Sequence, residues 1–164
     1  MENADRRLLR AMRTRWHTPG LEAAMVALGK AGNNGFVWVV LGVVLAVLDS
    51  SNREAWLICA ALGPVAICLN YAIKVLVKRP RPVLEGLPPL GGAPSSLSFP
   101  SAHATSSFAV AVAMVRVDPA TAAVFAVALA LSLGRPYLGM HYPSDVAVGA
   151  VLGVLLGLVV PLSL

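Results

Sequence analysis

The sequence is poor in charged residues and in cysteines, and both shortages exclude common kinds of small protein. Only 13% of its 164 residues are charged, whereas 57% are hydrophobic and the mean hydropathy is +0.75. This composition excludes an ordinary water-soluble domain and predicts one membrane domain over residues 1–164. The two cysteines, Cys59 and Cys68, lie nine residues apart in one apolar segment and cannot bridge along a straight helix. A disulfide-stapled fold is therefore excluded.

Acidic and aromatic residues are also few, with 8 Asp and Glu against 13 Lys and Arg and an aromatic content of 6%. The net charge of +5 would suit nucleic acid, but the cations stand beside apolar segments without interleaved aromatic residues. We therefore expect no nucleic acid partner and predict anionic membrane lipids instead. Residues 1–17 hold five arginines and no apolar stretch, so we expect no cleavable signal peptide there.

The long apolar runs predict an all-α fold, a polytopic membrane helix bundle with about five transmembrane helices. The predicted crossings are residues 34–48, 54–77, 102–115, 119–133 and 144–162. Several are shorter than the ~20 residues of a full crossing, so their ends must recruit loop residues or thin the bilayer. Small residues crowd the last three segments and predict close helix packing.

Ahead of this core, residues 4–16 predict an amphipathic helix that lies on the membrane surface. Their apolar side chains recur at helical spacing, and most of the arginines fall elsewhere around the helix. A disordered basic tail is the alternative. Residues 21–31 are helical in pattern but too short to cross a membrane. The chain thus divides into a basic interfacial region, residues 1–31, and a transmembrane core, residues 34–164.

Three polar motifs stand at the ends of the apolar segments, where ionisable residues are costly and usually mark a site. They are KVLVKRPRP at residues 74–82, PSAH at 100–103 and RPYLGMHYPSD at 135–145. Alternation over five crossings places all three on one membrane face, which holds eleven of the thirteen Lys and Arg residues. The positive-inside rule predicts that this face is cytoplasmic, unless a sixth crossing through residues 16–31 moves the N-terminal arginines away.

The first motif offers two cations to one anion. Lys74 lies near the end of a predicted helix, and Arg81 follows seven residues later, after a proline has ended that helix. Lysine presents a point charge and arginine a planar fork, and both suit phosphate oxygens. We expect the intervening Lys78 and Arg79 to face lipid head groups. The following Pro- and Gly-rich stretch, which ends at residue 98, is either a lid over the site or a plain connector.

The other two motifs add groups that can transfer protons and attack phosphorus. PSAH predicts a helix start, where backbone N–H groups and the helix dipole favour an anion that His103 can reach. His141 lies four residues before Asp145, whose carboxylate can accept one ring N–H and leave the other nitrogen to attack. Arg135 precedes them in the loop. Each motif alone has an ordinary explanation as a cap, a snorkelling side chain or a topology anchor, but their co-occurrence predicts an active site.

Taken together, the motifs resemble the three-part signature of the type-2 phosphatidic acid phosphatase superfamily, over about residues 54–160. The matching pattern is Lys74-x6-Arg81-Pro82, then Pro100-Ser101-Ala102-His103, then Gly134-Arg135-x5-His141-x3-Asp145. Two positions depart from the family. Ala102 stands where glycine is usual and loses backbone freedom at the helix start. Gly134 stands where serine is usual and loses a hydroxyl that could bond a phosphate oxygen.

The resemblance implies a phosphatase that needs no metal and no other cofactor. By matching position, His141 is the nucleophile that forms a phosphohistidine, Asp145 orients it, and His103 protonates the leaving oxygen and then activates water. The residues implied to bind the phosphoryl group are Lys74, Arg81, Arg135, Ser101 and Ala102.

The expected substrate is a lipid phosphomonoester or diphosphate in a bacterial plasma membrane, because a water-soluble ester needs no hydrophobic scaffold. A polyprenyl-linked sugar phosphate of cell-wall synthesis, such as decaprenylphosphoryl phosphoribose, is one candidate. Phosphatidylglycerol phosphate and phosphatidic acid, from phospholipid synthesis, are others. A phosphotransferase that uses the same site and a non-catalytic membrane scaffold are the alternative functions. The sequence predicts no oligomeric state.

Overall fold

The computed structural model describes residues 3–92 and 96–162, and the regular structure within them is helical throughout. The helices are α1 (Ala4–Arg15), α2 (Pro19–Ala31), α3 (Phe36–Leu48), α4 (Arg53–Val77), α5 (Ala102–Val117), α6 (Val124–Tyr137) and α7 (Pro143–Val159). Two 3₁₀ segments, Asn33–Gly35 and Pro119–Ala123, lead into α3 and α6. The predicted all-α fold is confirmed.

Short polar residues set where several helices begin. The side-chain oxygens of Asn3, Thr18 and Ser101 accept hydrogen bonds from backbone N–H groups in the first turns of α1, α2 and α5. Proline occupies the first position of α2 and of α7, where its missing N–H costs nothing. Helix α4 ends at Lys78, which adopts a left-handed conformation with φ 54° two residues before Pro80. The helix that carries Lys74 therefore stops at the first motif.

Helix α5 lies at the centre of the bundle and packs against α4, α6 and α7. Its contact with α7 depends on three glycines spaced four residues apart, Gly149, Gly153 and Gly157. A Cβ atom on any of them would come within 2.7 Å of a backbone carbonyl oxygen of α5 or of its N-cap residue, Ser101. Only glycine permits this approach, which confirms the close packing predicted from the small residues.

Two arginines at the end of the bundle away from the motifs cap helix ends. The Arg53 guanidinium donates to the carbonyl of Ala46 in α3, and that of Arg116 donates to the carbonyls of Gly157 and Val160 at the end of α7. These carbonyls have no partner within their own helices, so the arginines satisfy them.

Two helical stretches among the described residues are long and apolar enough to cross a membrane, namely α4 and the unit Pro119–Tyr137. Helices α2 and α3 together would make a third span, with a bend of 51° at the break between them. Helices α5 and α7 are apolar but shorter. Large apolar side chains on α3, α4 and α7 are exposed, as lipid-facing surfaces are. The predicted number of five crossings stays a prediction.

Helix α1 lies across the end of the bundle that carries the three motifs. Leu9 is fully buried, whereas Leu8 and Trp16 are more than half exposed. Arg13 is an exception to the predicted separation of arginines from the packed face. It is buried, and its guanidinium donates to the carbonyls of Leu138 (2.9 Å) and Pro88 (2.7 Å). Of the four large apolar side chains of residues 4–16, Leu9 and Met12 thus pack on protein, whereas Leu8 and Trp16 stay exposed.

Candidate active site

A cavity of about 140 Å³ opens at the end of the bundle where α4 and α6 end and α5 and α7 begin. We call it the polar cavity. Six of the eight predicted site residues line it: Lys74, Arg81, Ala102, His103, Arg135 and His141. They come two from each motif, so the fold brings all three motifs together. Asp145 and Ser101 do not line the cavity and lie behind it.

The imidazole of His141 lies between Asp145 and the cavity. Its Nδ1 atom is 3.6 Å from Asp145 Oδ2, which is too long for a hydrogen bond, and its Nε2 atom is 3.3 Å from Nη1 of Arg81. With the ring proton on Nδ1, the lone pair of Nε2 faces Arg81 and the cavity. Such contacts are commonly long without substrate and shorten when it binds. The arrangement suits attack from Nε2.

Asp145 is fully buried and held in place by two donors. Its Oδ2 accepts from the backbone N–H of Tyr142 at 2.8 Å, which caps the first turn of α7. Its Oδ1 accepts from Arg79 at 2.6 Å. A buried carboxylate needs such partners to remain charged.

The cations Lys74 and Arg81 are held by the loop that follows α4 and by the segment that follows α6. The ammonium of Lys74 donates to the carbonyl of Leu97 at 2.8 Å. The guanidinium of Arg81 donates to the carbonyls of Ser96 and Met140 and to the Ser96 hydroxyl. Phosphate oxygens, as stronger acceptors than carbonyls, can replace some of these partners without large movements.

The remaining two ionisable residues face α2. Nε2 of His103 lies 3.1 Å from the carbonyl oxygen of Gly29, near the end of that helix. Arg135 is buried, and its Nε atom has no hydrogen-bond partner among the described residues. A Cβ atom on Gly29 would lie only 3.0 Å from Nη1 of Arg135, and one on Gly32 only 3.1 Å from the His103 ring. Glycine at these positions lets α2 close over the site.

Two predicted contributions look different in the structure. The Ser101 hydroxyl is fully buried and accepts the backbone N–H of Ala104, so its visible role is to cap α5. At Gly134, a Cβ atom would lie 3.2 Å from the sulfur of Met25 in α2, and the residue does not line the polar cavity. The small residue at 134 therefore makes room for α2.

The expectation that Arg79 faces lipid head groups is wrong. Its guanidinium bonds to the carboxylates of Asp145 and Asp5 and to the Ser144 hydroxyl, and it stacks over the ring of Tyr142. Lys78 is exposed, and its contact with lipid head groups stays a prediction. No local pattern separates these two adjacent cations, because the acids that bind Arg79, Asp5 and Asp145, lie 74 residues before it and 66 residues after it.

Several residues of the site were missed from the sequence. Gly32, Asn33 and Asn34 from the break between α2 and α3 line the cavity, as do Ser96 and Ser106. Ser106 follows His103 by three residues on α5, which is helical spacing, so this signal was available. The Gly-Asn-Asn break was visible too, but nothing in the sequence places it beside the motifs.

Burial, together with the nearby charges of Arg81, Arg135 and Lys74, lowers the pKa of His141 to about 4, although the contact with Asp145 opposes the shift. The imidazole is therefore neutral at pH 7, as a nucleophile must be. No group of three or more His, Cys, Asp or Glu side chains within residues 3–92 and 96–162 is placed to hold a metal ion. The absence of a metal requirement stays a prediction.

Comparison with known proteins gives one family throughout. The family model described as the PAP2 superfamily matches residues 54–164. Decaprenylphosphoryl-5-phosphoribose phosphatase of Mycobacterium tuberculosis (strain ATCC 25618 / H37Rv) is 40% identical over 144 residues, which are 87% of this chain and 80% of the relative. Undecaprenyl-diphosphatase BcrC of Bacillus subtilis (strain 168) is 26% identical over 143 residues, 86% of this chain and 74% of the relative. The crystal structure of Aquifex aeolicus LpxE superposes with a TM-score of 0.80 at 25% identity, covering 96% of this chain and 94% of that one.

Proposed function

We propose, from the premise that this chain belongs to the PAP2 superfamily and is a membrane phosphatase, that it hydrolyses a phosphate ester on a polyprenyl-linked lipid through a phosphohistidine. The observation that carries the proposal is the convergence of two histidines and three cations on one cavity, with a buried aspartate behind His141. Such a set supplies the nucleophile, the acid and the anion clamp of phosphoryl transfer.

In the proposed first step, Nε2 of His141 attacks phosphorus in line with the leaving oxygen. The P–N bond forms while the P–O bond breaks, and His103 gives its proton to the departing alkoxide or phosphate oxygen. Asp145 accepts the Nδ1 proton of His141 as a hydrogen bond and stabilises the developing imidazolium. Lys74, Arg81 and Arg135 stabilise the charge on the three equatorial oxygens, where most of the acceleration should arise.

In the second step, neutral His103 takes a proton from water as the water attacks phosphorus. The P–N bond breaks, the electron pair returns to Nε2 of His141, and inorganic phosphate leaves. The contact between His103 Nε2 and the Gly29 carbonyl holds the ring in place, and the ring lines the cavity to which we assign the phosphoryl group.

Two further cavities support a lipid substrate with a sizeable head group. A side cavity of about 170 Å³ shares Arg135 and Asn33 with the polar cavity and is also lined by Lys30 and two loop glycines, Gly91 and Gly92. An apolar groove of about 410 Å³ begins at Ala31 and runs along α3. We assign the scissile phosphate to the polar cavity, the rest of the head group to the side cavity and the prenyl chain to the groove.

The sugar-phosphate lipid is the substrate class that we favour, because a decaprenylphosphoryl-5-phosphoribose phosphatase is 40% identical over 87% of this chain. We further propose that the site faces the cytoplasm. Eleven of the thirteen Lys and Arg residues belong to the end of the bundle that carries the motifs, and the other two, Arg53 and Arg116, cap helix ends.

A substrate panel tests the function. Phosphate release by the detergent-solubilised protein is measured on decaprenylphosphoryl-5-phosphoribose, undecaprenyl diphosphate, phosphatidylglycerol phosphate and ribose 5-phosphate. We expect the highest kcat/KM on the sugar-phosphate lipid and little activity on ribose 5-phosphate. Activity confined to water-soluble esters would reject a lipid substrate. ¹⁸O from labelled water should enter the released phosphate, and its absence together with a phosphorylated lipid product would indicate a phosphotransferase.

The membrane face on which the site lies can be tested separately. Glu85 is exposed in the loop after α4. In a variant with Cys59 and Cys68 replaced by alanine, a Glu85→Cys side chain should react with a membrane-impermeant maleimide only after the cells are opened. Reaction in intact cells would place the site outside.

A further inference from the structure

We infer that Asp5 on helix α1 is a positioning residue for the His141–Asp145 pair and acts on it through Arg79. The inference rests on the proposed function, since it takes His141 as the nucleophile. Asp5 lies outside residues 54–164, the part of the chain that matches the family model. It therefore extends the catalytic apparatus into a helix that carries none of the family motifs.

The Asp5 carboxylate is largely buried and satisfied by three donors. Its Oδ1 accepts the backbone N–H of Ser144 at 3.0 Å, and its Oδ2 accepts the Ser144 hydroxyl and Nη2 of Arg79, the latter at 2.7 Å. Its side chain is 17% exposed. Burial alone would raise its pKa, but the bonds from Ser144 and Arg79 outweigh burial and lower the pKa. Asp5 is thus a charged partner of Arg79 at neutral pH.

Arg79 connects the two carboxylates with different nitrogens of one guanidinium. Nη2 bonds to Asp5, while Nη1 bonds to Asp145 at 2.6 Å and to the Ser144 hydroxyl at 2.8 Å. The guanidinium also lies 4.0 Å from the centre of the Tyr142 ring. The plane of Arg79 is therefore fixed, and with it the orientation of the Asp145 carboxylate.

The charges in this chain of contacts matter for His141. Asp5, Arg79 and Asp145 together carry a net charge of one negative unit beside the imidazole. Without Asp5, the positive charge of Arg79 would be balanced by Asp145 alone, and the set would be neutral. Asp145 would then be a weaker acceptor for the Nδ1 proton and would stabilise the imidazolium less. Asp5 therefore keeps the negative charge of Asp145 available to the nucleophile.

Helix α1 is anchored well enough to hold Asp5 in this position. Leu9 packs on Leu84 and on Tyr142, and Tyr142 is the residue that directly follows His141. At the other end of the helix, Arg13 donates to the Leu138 carbonyl. The next residue, Gly139, has φ +75°, and a Cβ atom there would lie 2.6 Å from Nη1 of Arg13. The loop that carries the nucleophile is thus shaped to receive α1.

The test compares Asp5→Asn, Arg79→Gln and the double variant in steady-state hydrolysis of the preferred lipid substrate. Asp5→Asn keeps the shape of the side chain and removes its charge. We expect it to lower kcat about tenfold with KM unchanged, because the interaction matters in the transition state. In the Arg79→Gln background the same substitution should have an effect of less than about twofold, since its intermediary is gone. Glu22→Gln is the matched control, another first-turn acid on an N-terminal helix, and should match wild type.

A residue that merely anchors α1 would give different results. Asp5→Asn should also lower the pKa of His141, which is measured by ¹⁵N NMR of the imidazole. A substitution that only destabilised α1 would lower the melting temperature and leave this pKa unchanged. Ser144→Ala is a second variant that leaves both carboxylates in place and should lower kcat by about threefold. A wild-type kcat in Asp5→Asn, or an equal loss in the Arg79→Gln background, would overturn the inference. Activity retained by His141→Ala would instead overturn the proposed function.

Discussion

Residues 54–164 and residues 3–48 contribute to the same site in different ways. The first region matches the family model and contains all eight residues predicted from the sequence to act on phosphate. The second region contains none of them, yet α2 closes the cavity with Gly29 and Gly32, and α1 brings Asp5 to Arg79. Under the proposed function, the motifs supply the groups that meet the substrate, and the N-terminal helices contact some of these groups and the residues behind them.

The two regions also satisfy their buried charges differently. In the core, Lys74 and Arg81 donate to backbone carbonyls of the segments that follow α4 and α6, which are neutral acceptors that a phosphate can replace. At the N-terminal contact, Asp5 and Arg79 form a direct ion pair, and breaking it would leave each partly buried group with one charged partner fewer. Hydrogen-bond partners that can be exchanged suit side chains that bind substrate, and permanent ion pairs suit side chains that position the nucleophile.

The largest effect should come from the core. We expect His141→Ala to lower kcat by at least about 10³-fold, because the covalent route is lost and only the cation clamp remains. Phosphate release is measured in detergent, with the melting temperature as a check on folding. His17→Ala is the matched control in the N-terminal region, where His17 is exposed and lies against Tyr137. Comparable losses in the two variants would erase the division of roles between the regions.

The helices and the part of the site formed by residues 54–164 could be predicted from the sequence, because local sequence patterns indicate both. The apolar periodicity of a helix can be recognised within about ten to twenty residues, and each of the three motifs is at most eleven residues long. Asp145 and His141 are four residues apart across the start of α7, so their pairing is a local one. Asp5 and Ser144 are 139 residues apart, and no local pattern records their contact. For the same reason Arg79 could not be told from Lys78 before its partners were seen.

A smaller effect should follow from filling the space beside α2. Gly29→Ala adds a Cβ atom 3.0 Å from Nη1 of Arg135, so the guanidinium must shift. We expect kcat/KM to fall several-fold, without a fall in melting temperature, because alanine favours the helix by about 1 kcal/mol over glycine. Gly20→Ala in the same helix is the control, as nothing lies within 4 Å of its Cβ position.

If both glycine variants kept full activity, α2 would be a cover and not a part of the site. If Gly29→Ala lost stability as well as activity, the guanidinium of Arg135 would be held too firmly to move away from the added methyl group. Either result would change the role assigned to α2 in the site.

The protonation of His141 gives a subtler measure. Burial and the surrounding cations lower its pKa to about 4, so the ring should stay neutral as the pH falls from 7 to 5. Titration of ¹⁵N-labelled histidine, with His141→Asn to assign the signal, should show a midpoint well below 6.5. Removing a neighbouring cation in Arg81→Gln favours the protonated ring and should raise the midpoint. A midpoint at or above 6.5 would mean that the core does not exclude water from the nucleophile.

The smallest expected effect is that of a metal chelator, which should leave kcat and KM unchanged. His103, His141 and Asp145 are ligand-type side chains, but Arg81, 3.3 Å from the His141 ring, and the buried Lys74 and Arg135 at the same cavity would repel a divalent cation. Activity is compared before and after dialysis against EDTA, and again after Mg²⁺, Mn²⁺ or Zn²⁺ is restored. Loss on dialysis with recovery on addition of one metal would mean that the cation clamp is not sufficient. In that case the positive charge now assigned to the core residues would have to be shared with an ion.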